Sequence, residues 1–399
     1  MEEHMMTTDA HREDDFSPIR YGMVGGGQGA FIGGVHRIAA RIDGEFRLAA
    51  GALSSDPERA VQSGVALGLD PERCYVSFQE MAKAEANRPD GIEAVAIVTP
   101  NHVHYPAARA FLEAGIHVIC DKPLTSTLKD AKDLADIAEK SGKLFVLTHN
   151  YTGYPMVRQA RAMVQEGLLG DLRVVHAEYP QDWLTEAVES KQAAWRTDPK
   201  QSGAGGATGD IGTHAYNLAR FVSGLELDSL AADLSAFGTG RVLDDNAHVL
   251  LRFKPQGDVP AARGMLWASQ VAPGNENALK LRVYGTRGGL EWHQEQPNHL
   301  WFTPYGQEKR LITRNGAGAG AAAARVSRVP GGHPEGYLEA FGTIYAEAAR
   351  AIRARRAGGS MLSADVVFPT VRDGVEGVAF VEACVNSSRN DGAWTKLDL

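Results

Sequence analysis

At roughly 150 residues per domain, a chain of 399 residues calls for two domains or three small ones. Hydrophobic residues at 44% and charged ones at 23% exclude global disorder and fibrous structure. With 41 basic and 49 acidic residues, a net charge of −8 favours neither a nucleic-acid backbone nor an anionic membrane surface as partner, and leaves small polar molecules open.

The first residues, MEEHMMTTDAHREDDF, are acidic and polar where a signal peptide would be basic and then apolar, so residues 1–17 are expected to form a mobile tail. Ile19 to Val24 reads as a strand ending at glycines. A helix (Gly33 to Ile42), a strand (Phe46 to Leu53) and a helix opened by Ser55, Asp56 and Pro57 follow. The alternation continues through a strand (Ala94 to Val98), a helix (Tyr105 to Ala114), a strand (Ile116 to Cys120), a helix (Thr127 to Lys140) and a strand (Leu144 to Thr148). Short apolar strands alternating with helices predict a doubly wound parallel sheet, a Rossmann-type α/β domain over residues 18–150.

From Tyr151 the rhythm changes. A helix (Met156 to Glu166), a strand (Leu172 to Tyr179) and a long polar stretch lead into strand-like segments at Ala247 to Phe253, Ala262 to Ser269, Ala278 to Tyr284 and Gly289 to Trp292. These predict a mostly antiparallel sheet in a second α/β domain over 151–399. The Gly/Ala-rich run Asn315 to Gly332 reads as a loop with room for one helical turn, and helices near Tyr337 to Ala357 and Val371 to Ser388 close the chain. Cys74, Cys120 and Cys384 have no CxxC spacing, which fits a reducing, cytoplasmic compartment. No run of about 18 apolar residues suggests a membrane span, and the histidines show no metal-ligand spacing.

Gly25-Gly26-Gly27-Gln28-Gly29-Ala30 matches G-x-G-x-x-[GA] between a strand and a helix. In that context Gly25 permits the tight turn and Gly27 lets the backbone approach a pyrophosphate. Ala30 allows close packing of helix on strand, and the helix N-terminus offers amides to the anion. After the second strand, where an acidic residue commonly receives the ribose hydroxyls of NAD, stand Ser54 and Ser55, with Arg59 further on. Asp56 reads as a helix cap. The cofactor is therefore NAD or NADP.

Asp121-Lys122-Pro123 follows a buried strand, at the sheet edge where ligands bind in such folds. The proline can fix a sharp turn, cis if need be, and hold the Lys122 ammonium in place. Asp210 and His214, after a glycine-rich approach, are four residues apart, a spacing that on a helix lets Asp210 orient the imidazole. Oxidising a secondary alcohol requires hydride removal and a base for the hydroxyl proton. Imidazole suits that task near neutral pH, and an ammonium can polarise the same oxygen.

With these residues the chain resembles the Gfo/Idh/MocA oxidoreductases, the glucose-fructose oxidoreductase and inositol dehydrogenase group. The resemblance spans about Pro18 to Leu399 and rests on GGGQGAFIGGVHR (25–37), TPNHVHYP (99–106), DKP (121–123), AWR (194–196), GATGDIGTH (206–214) and the closing DGVEGVAFVEACVNSS (373–388). It implies a catalytic set of Lys122, Asp210 and His214, and a cofactor lying against Gly25 to Ile32 (Gln28, Gly29, Ala30 and Phe31 among them), Ser54, Thr99, Pro100, Asn101, His104, Asp121, Lys122, Trp195 and Arg196. It also implies a sugar, sugar derivative or cyclitol as substrate and a homodimer or homotetramer built on an open-faced sheet. Two departures stand out: the family's usual EKP is Asp121-Lys122-Pro123, and His149-Asn150-Tyr151-Thr152-Gly153-Tyr154-Pro155 lacks the arginine often found there. In that stretch Asn150 and Tyr154 are expected to face substrate. Two alternatives stay open: a non-catalytic, dinucleotide-bound regulator, and NAD-dependent glycoside cleavage through transient oxidation.

Overall fold

The computed structural model describes residues 17–186, 198–359 and 366–399. The expected tail, apart from Ser17, lies outside them. Strands β1 (Ile19–Gly25), β2 (Phe46–Ala52), β3 (Ala94–Val98), β4 (His117–Cys120) and β5 (Phe145–Leu147) form one sheet in the order β2-β1-β3-β4-β5, with every pairing parallel. All five residues of β3 are buried, as a central strand covered on both faces requires.

Helices α1 (Phe31–Ile42), α2 (Pro57–Ala66), α3 (Phe78–Ala86), α4 (Asn101–Glu113) and α5 (Leu128–Ser141) connect these strands. Two of them depart from the expectation. Helix α3 has no counterpart among the expected elements, although Ser77 caps it by accepting from the Glu80 amide at 3.1 Å. Helix α4 begins at Asn101 rather than Tyr105, because Pro100 starts it and the Val103 amide reaches the Pro100 carbonyl at 3.0 Å. Pro106 is accommodated inside it.

The second layer is an eight-stranded sheet. Its members are β6 (Leu172–Pro180), β7 (Leu227–Ser235), β8 (Asn246–Phe253), β9 (Arg263–Ser269), β10 (Lys280–Gly285), β11 (Gly288–His293), β12 (His299–Pro304) and β13 (Arg310–Thr313), in the order β13-β12-β11-β10-β6-β9-β8-β7. Only β6 and β9 pair in parallel. Along β8 burial alternates residue by residue through its second half, so one face packs on helices α6 (Pro155–Gln165) and α7 (Thr213–Ser223) and the other is open.

The chain then crosses back. Helix α8 (Tyr337–Arg356) packs on α1 and contributes Phe341, Ile344, Tyr345, Ala348 and Ile352 to the core over the parallel sheet, while α9 (Val371–Arg389) packs on α5 and β7. Arg158 on α6 forks onto Glu347 on α8 at 2.9 and 3.0 Å with both side chains 2% exposed. Losing Glu347 would strand the buried Arg158 charge, at a cost of about 3–5 kcal/mol, whereas Glu347 is also held by Arg325 at 2.8 Å. This return places Tyr337 and Phe341 in the cleft between the two sheets. The run Asn315 to Gly332 holds one helical turn, Ala321–Ala324.

Candidate active site

A cleft of about 940 Å³ lies along the carboxyl ends of β1 to β5. Every loop that leaves those ends contributes to it: Gly25 to Ile32 after β1, Leu53 to Ser55 after β2, Val98 to Asn101 after β3, Asp121 to Pro123 after β4, and Asn150 and Tyr151 after β5. The sheet side adds Tyr179, Gln181, Asp210, His214, Asn277 and Gln294.

The glycine loop is shaped for a large anion. Gly25, Gly26 and Gly29 have φ of +79°, +72° and +78°, the region that disfavours other residues. A Cβ on Gly27 would stand 2.6 Å from the Leu53 carbonyl oxygen. The close contact of helix and strand is made by Gly33, where a Cβ would come within 2.4 Å of Gly26 Cα, rather than by Ala30, which is the N-terminal cap of α1. No side chain caps α1 and its first turn carries no acid, so its leading amides are available to a phosphate. The buried Thr99 Oγ1 has no hydrogen-bond partner among the described residues and borders the same cleft. At the β2 corner Asp56 accepts from the Arg59 amide at 2.8 Å and caps α2, leaving Ser54, Ser55 and Arg59 on the cleft wall. These features fit a dinucleotide.

The Lys122–Pro123 bond is cis. The Asp121 carboxylate steadies this turn, accepting from the Lys122 amide at 2.9 Å and from Thr148 Oγ1 at 3.0 Å. Lys122 Nζ donates to Asp210 Oδ1 at 2.9 Å and to the Asp210 carbonyl at 2.5 Å, and Gln270 Nε2 donates to Asp210 Oδ2 at 2.9 Å. Asp210 sits in a π-helical turn, Thr208–Gly212, that runs into α7; such turns recur where side chains must be re-aimed at functional sites. The turn is tethered by Asp244, which accepts from the Gly206 and Thr208 amides at 2.7 and 2.8 Å.

The expected Asp210–His214 pairing on one helical face is therefore corrected. Both carboxylate oxygens of Asp210 are engaged by Lys122 and Gln270, and the His214 imidazole meets His149, with the two Nδ1 atoms 3.4 Å apart. Burial, then Lys122, then His149 hold His214 well below the ordinary imidazole value. Burial and Lys122 push His149 down to about 3. Both rings are neutral near pH 7.

Other expected site residues divide. Gly25, Gly27, Gln28, Gly29, Ala30, Phe31, Ile32, Ser54, Thr99, Pro100, Asn101, Asp121, Lys122, Asn150, Asp210 and His214 all border the cleft. His104 does not: it is buried behind the loops, its Nδ1 2.8 Å from the Pro123 carbonyl and its Nε2 2.9 Å from that of Thr99, so it braces the turn. Tyr154 also lies off the cleft, packed on Trp292 at 5.3 Å between ring centres, because the 3₁₀ turn Asn150–Gly153 directs Tyr151 inward instead. Trp195 and Arg196 lie outside the described residues.

Sequence reasoning missed the polar wall opposite Lys122. The Tyr151 and Tyr179 hydroxyls are 2.5 Å apart, Tyr179 Oη and Gln181 Nε2 both donate to Asn277 Oδ1 at 2.7 Å, and Asn277 Nδ2 donates to Gln294 Oε1 at 3.2 Å. Burial raises both phenols, so the wall is uncharged. A signal for Tyr179 was present: it continues the inward alternation of Val175 and Ala177 along β6.

Residues 19–160 match the model of the oxidoreductase family with an NAD-binding Rossmann fold, and residues 157–291 match the GFO/IDH/MocA C-terminal domain. An uncharacterized oxidoreductase, YfiI, of Bacillus subtilis (strain 168) is 36% identical over 386 residues, 95% of this chain and 97% of its own.

The chain belongs to the Gfo/Idh/MocA oxidoreductase family.

An oxidoreductase from Sinorhizobium meliloti shares 63% identity, covering 95% of this chain and 99% of its own with a TM-score of 0.87. An inositol dehydrogenase homologue from Azotobacter vinelandii, solved with NAD+, shares 38% identity over 96% and 98% of the two chains with a TM-score of 0.92. As a Gfo/Idh/MocA member this chain is an NAD(P)-dependent oxidoreductase, and its parallel sheet is the family's nucleotide-binding domain.

Proposed function

We propose that the protein is a dehydrogenase that oxidises a secondary alcohol of an uncharged sugar, sugar derivative or cyclitol, or reduces the matching ketone. Lys122, Asp210 and His214 are its catalytic set. The observation that carries this reading is that the Lys122 ammonium and the His214 imidazole border one cleft with the glycine loop. The bound nicotinamide supplies hydride acceptance and donation. Lys122 hydrogen-bonds and polarises the substrate oxygen, and Asp210 offsets the ammonium's charge and holds it in place. Neutral His214 takes the hydroxyl proton on its free nitrogen, Nε2, and returns it in reduction.

The amide and phenol wall supports a polyhydroxylated, uncharged substrate, because hydroxyls match its mixed donors and acceptors without leaving a charge unpaired. The buried Asn150 Nδ2 has no hydrogen-bond partner among the described residues and serves as a further donor to substrate. The Azotobacter vinelandii homologue has been solved with NADH and myo-inositol, and a levoglucosan dehydrogenase, 26% identical with a TM-score of 0.78, with NADH and levoglucosan. Both ligands are neutral polyols. We further infer a two-domain division near residue 150, a homodimer or homotetramer joined through the open sheet face, and a cytoplasmic site of action consistent with three free cysteines; no helix among the described residues is long and apolar enough to cross a membrane.

Incubation with NAD+ or NADP+ and a panel of cyclitols and neutral sugars should produce absorbance of the reduced cofactor. Lys122→Ala and His214→Asn should each lower kcat at least about 10³-fold with cofactor affinity changed less than about threefold. Turnover equal to wild type in both variants would overturn the assignment.

A further inference from the structure

His149 enters no step above, yet its position is specific. It follows β5 and opens the 3₁₀ turn Asn150–Gly153, with its carbonyl accepting from Thr152 Oγ1 at 2.8 Å. Its ring meets His214 edge-on, 5.2 Å between centres at 83°, with the Nδ1 atoms 3.4 Å apart. It does not border the cleft. It is 2% exposed, directly behind His214.

A neutral imidazole carries one proton on two nitrogens, so this Nδ1–Nδ1 contact is a hydrogen bond only when one ring is protonated there and the other bare. If His214 Nδ1–H donates, His214 Nε2 is a lone pair and can accept a hydroxyl proton. If His149 Nδ1–H donates, His214 Nε2 carries a proton and can donate it to a ketone oxygen. We propose that His149 is a positioning residue that sets the tautomer of His214 and so arms its Nε2 as base for alcohol oxidation. The proposal rests on His214 being the general base.

The surroundings make this contact consequential. The groups facing His214 are Lys122 after β4, itself paired with Asp210 in the π turn, His149 after β5, and the phenols of Tyr151 and Tyr179 at 4.8 and 6.2 Å between ring centres. The ammonium opposes a second positive charge. When the hydroxyl proton arrives at Nε2, the resulting imidazolium holds a proton on each nitrogen, and the bare His149 Nδ1 accepts a hydrogen bond from Nδ1–H, which stays on His214. The O–H bond breaks, the Nε2–H bond forms, and no other co-reactant enters the proton step. An acceptor behind an imidazole that holds the proton on the inner nitrogen fixes the tautomer of the outer one in general.

The test compares His149→Asn, whose amide can still accept near the position of Nδ1, with His149→Phe, which cannot. In full-length protein saturated with NAD+, selective histidine ¹⁵N NMR should show wild-type His214 protonated at Nδ1 and bare at Nε2. His149→Phe should lose that preference, lower kcat about 20- to 100-fold and raise the solvent isotope effect, with KM within about threefold; His149→Asn should retain at least about a fifth of kcat. A wild-type His214 bare at Nδ1 overturns the proposal, and this reading remains decisive if His149→Phe does not fold. So does a His149→Phe enzyme with wild-type kcat and pH profile while His214→Asn is dead. Activity persisting in His214→Asn would instead bring down the base assignment itself.

Discussion

On the Rossmann side of the cleft the groups turned toward a ligand are largely backbone: the positive-φ glycines, the Gly27 approach to Leu53 and the uncapped start of α1. They lie within one stretch of the chain. On the sheet side they are side chains from separate elements, Tyr151, Tyr179, Gln181, Asn277 and Gln294, linked across gaps of up to 126 residues. The difference is physical. Phosphate recognition needs amides and space, which a short glycine pattern supplies. Recognition of a polyol needs hydroxyl and amide atoms at fixed separations, which only tertiary packing provides.

The two walls can be broken separately. Gly27→Val should do the most damage, since its Cβ must displace the Leu53 carbonyl at 2.6 Å; we expect cofactor affinity at least about 100-fold weaker in calorimetric titration, with the far-ultraviolet circular dichroism unchanged. Retained affinity would mean that the backbone does not form the cradle. Asn277→Leu removes the acceptor shared by Tyr179 and Gln181 and should raise the KM for polyol about 10- to 50-fold, as loss of one or two buried hydrogen bonds implies, with cofactor Kd unmoved. A matching change in cofactor Kd would erase the distinction between the walls.

A smaller effect should appear in acid. Burial pushes His36 and His117 down to about 4 and His149 to about 3, whereas in the unfolded chain each titrates near 6.5. Below pH 6.5 the unfolded state therefore binds more protons, and stability falls as pH drops toward 4, by up to about 1.4 kcal/mol per pH unit per histidine. Urea midpoints measured from pH 7.5 to 4.5 should be flat above 6.5 and decline below it. A midpoint that rises as pH falls would contradict the buried, neutral state of these rings.

Both sheets, the glycine loop and the Asp121-Lys122-Pro123 turn were legible because strand periodicity and turn chemistry are local, whereas the meeting of Lys122 with the Asp210 segment, 88 residues away, was expected only from the family resemblance. What escaped depends on phase or distance. Asp210 and His214 both border the cleft, as their four-residue spacing implies, but the Asp210 carboxylate is engaged by Lys122 and Gln270 from distant elements, which the spacing does not report. The 3₁₀ turn after β5 places Tyr151 rather than Tyr154 at the cleft. Asn277 and Gln294 precede and follow the hairpin of β10 and β11, with nothing in their neighbouring residues to mark them. His104 was assigned by its motif, and its true partners are two carbonyls on different loops.

The central claim is that an amine and an imidazole address one substrate oxygen. A crystal structure of the wild-type protein with NADH and a polyol that it turns over tests this most directly. One carbinol oxygen should lie within hydrogen-bond distance of both Lys122 Nζ and His214 Nε2, with its carbon against the nicotinamide. A polyol bound with its reacting oxygen contacting neither group, or with His214 turned away from the ring, would contradict the account.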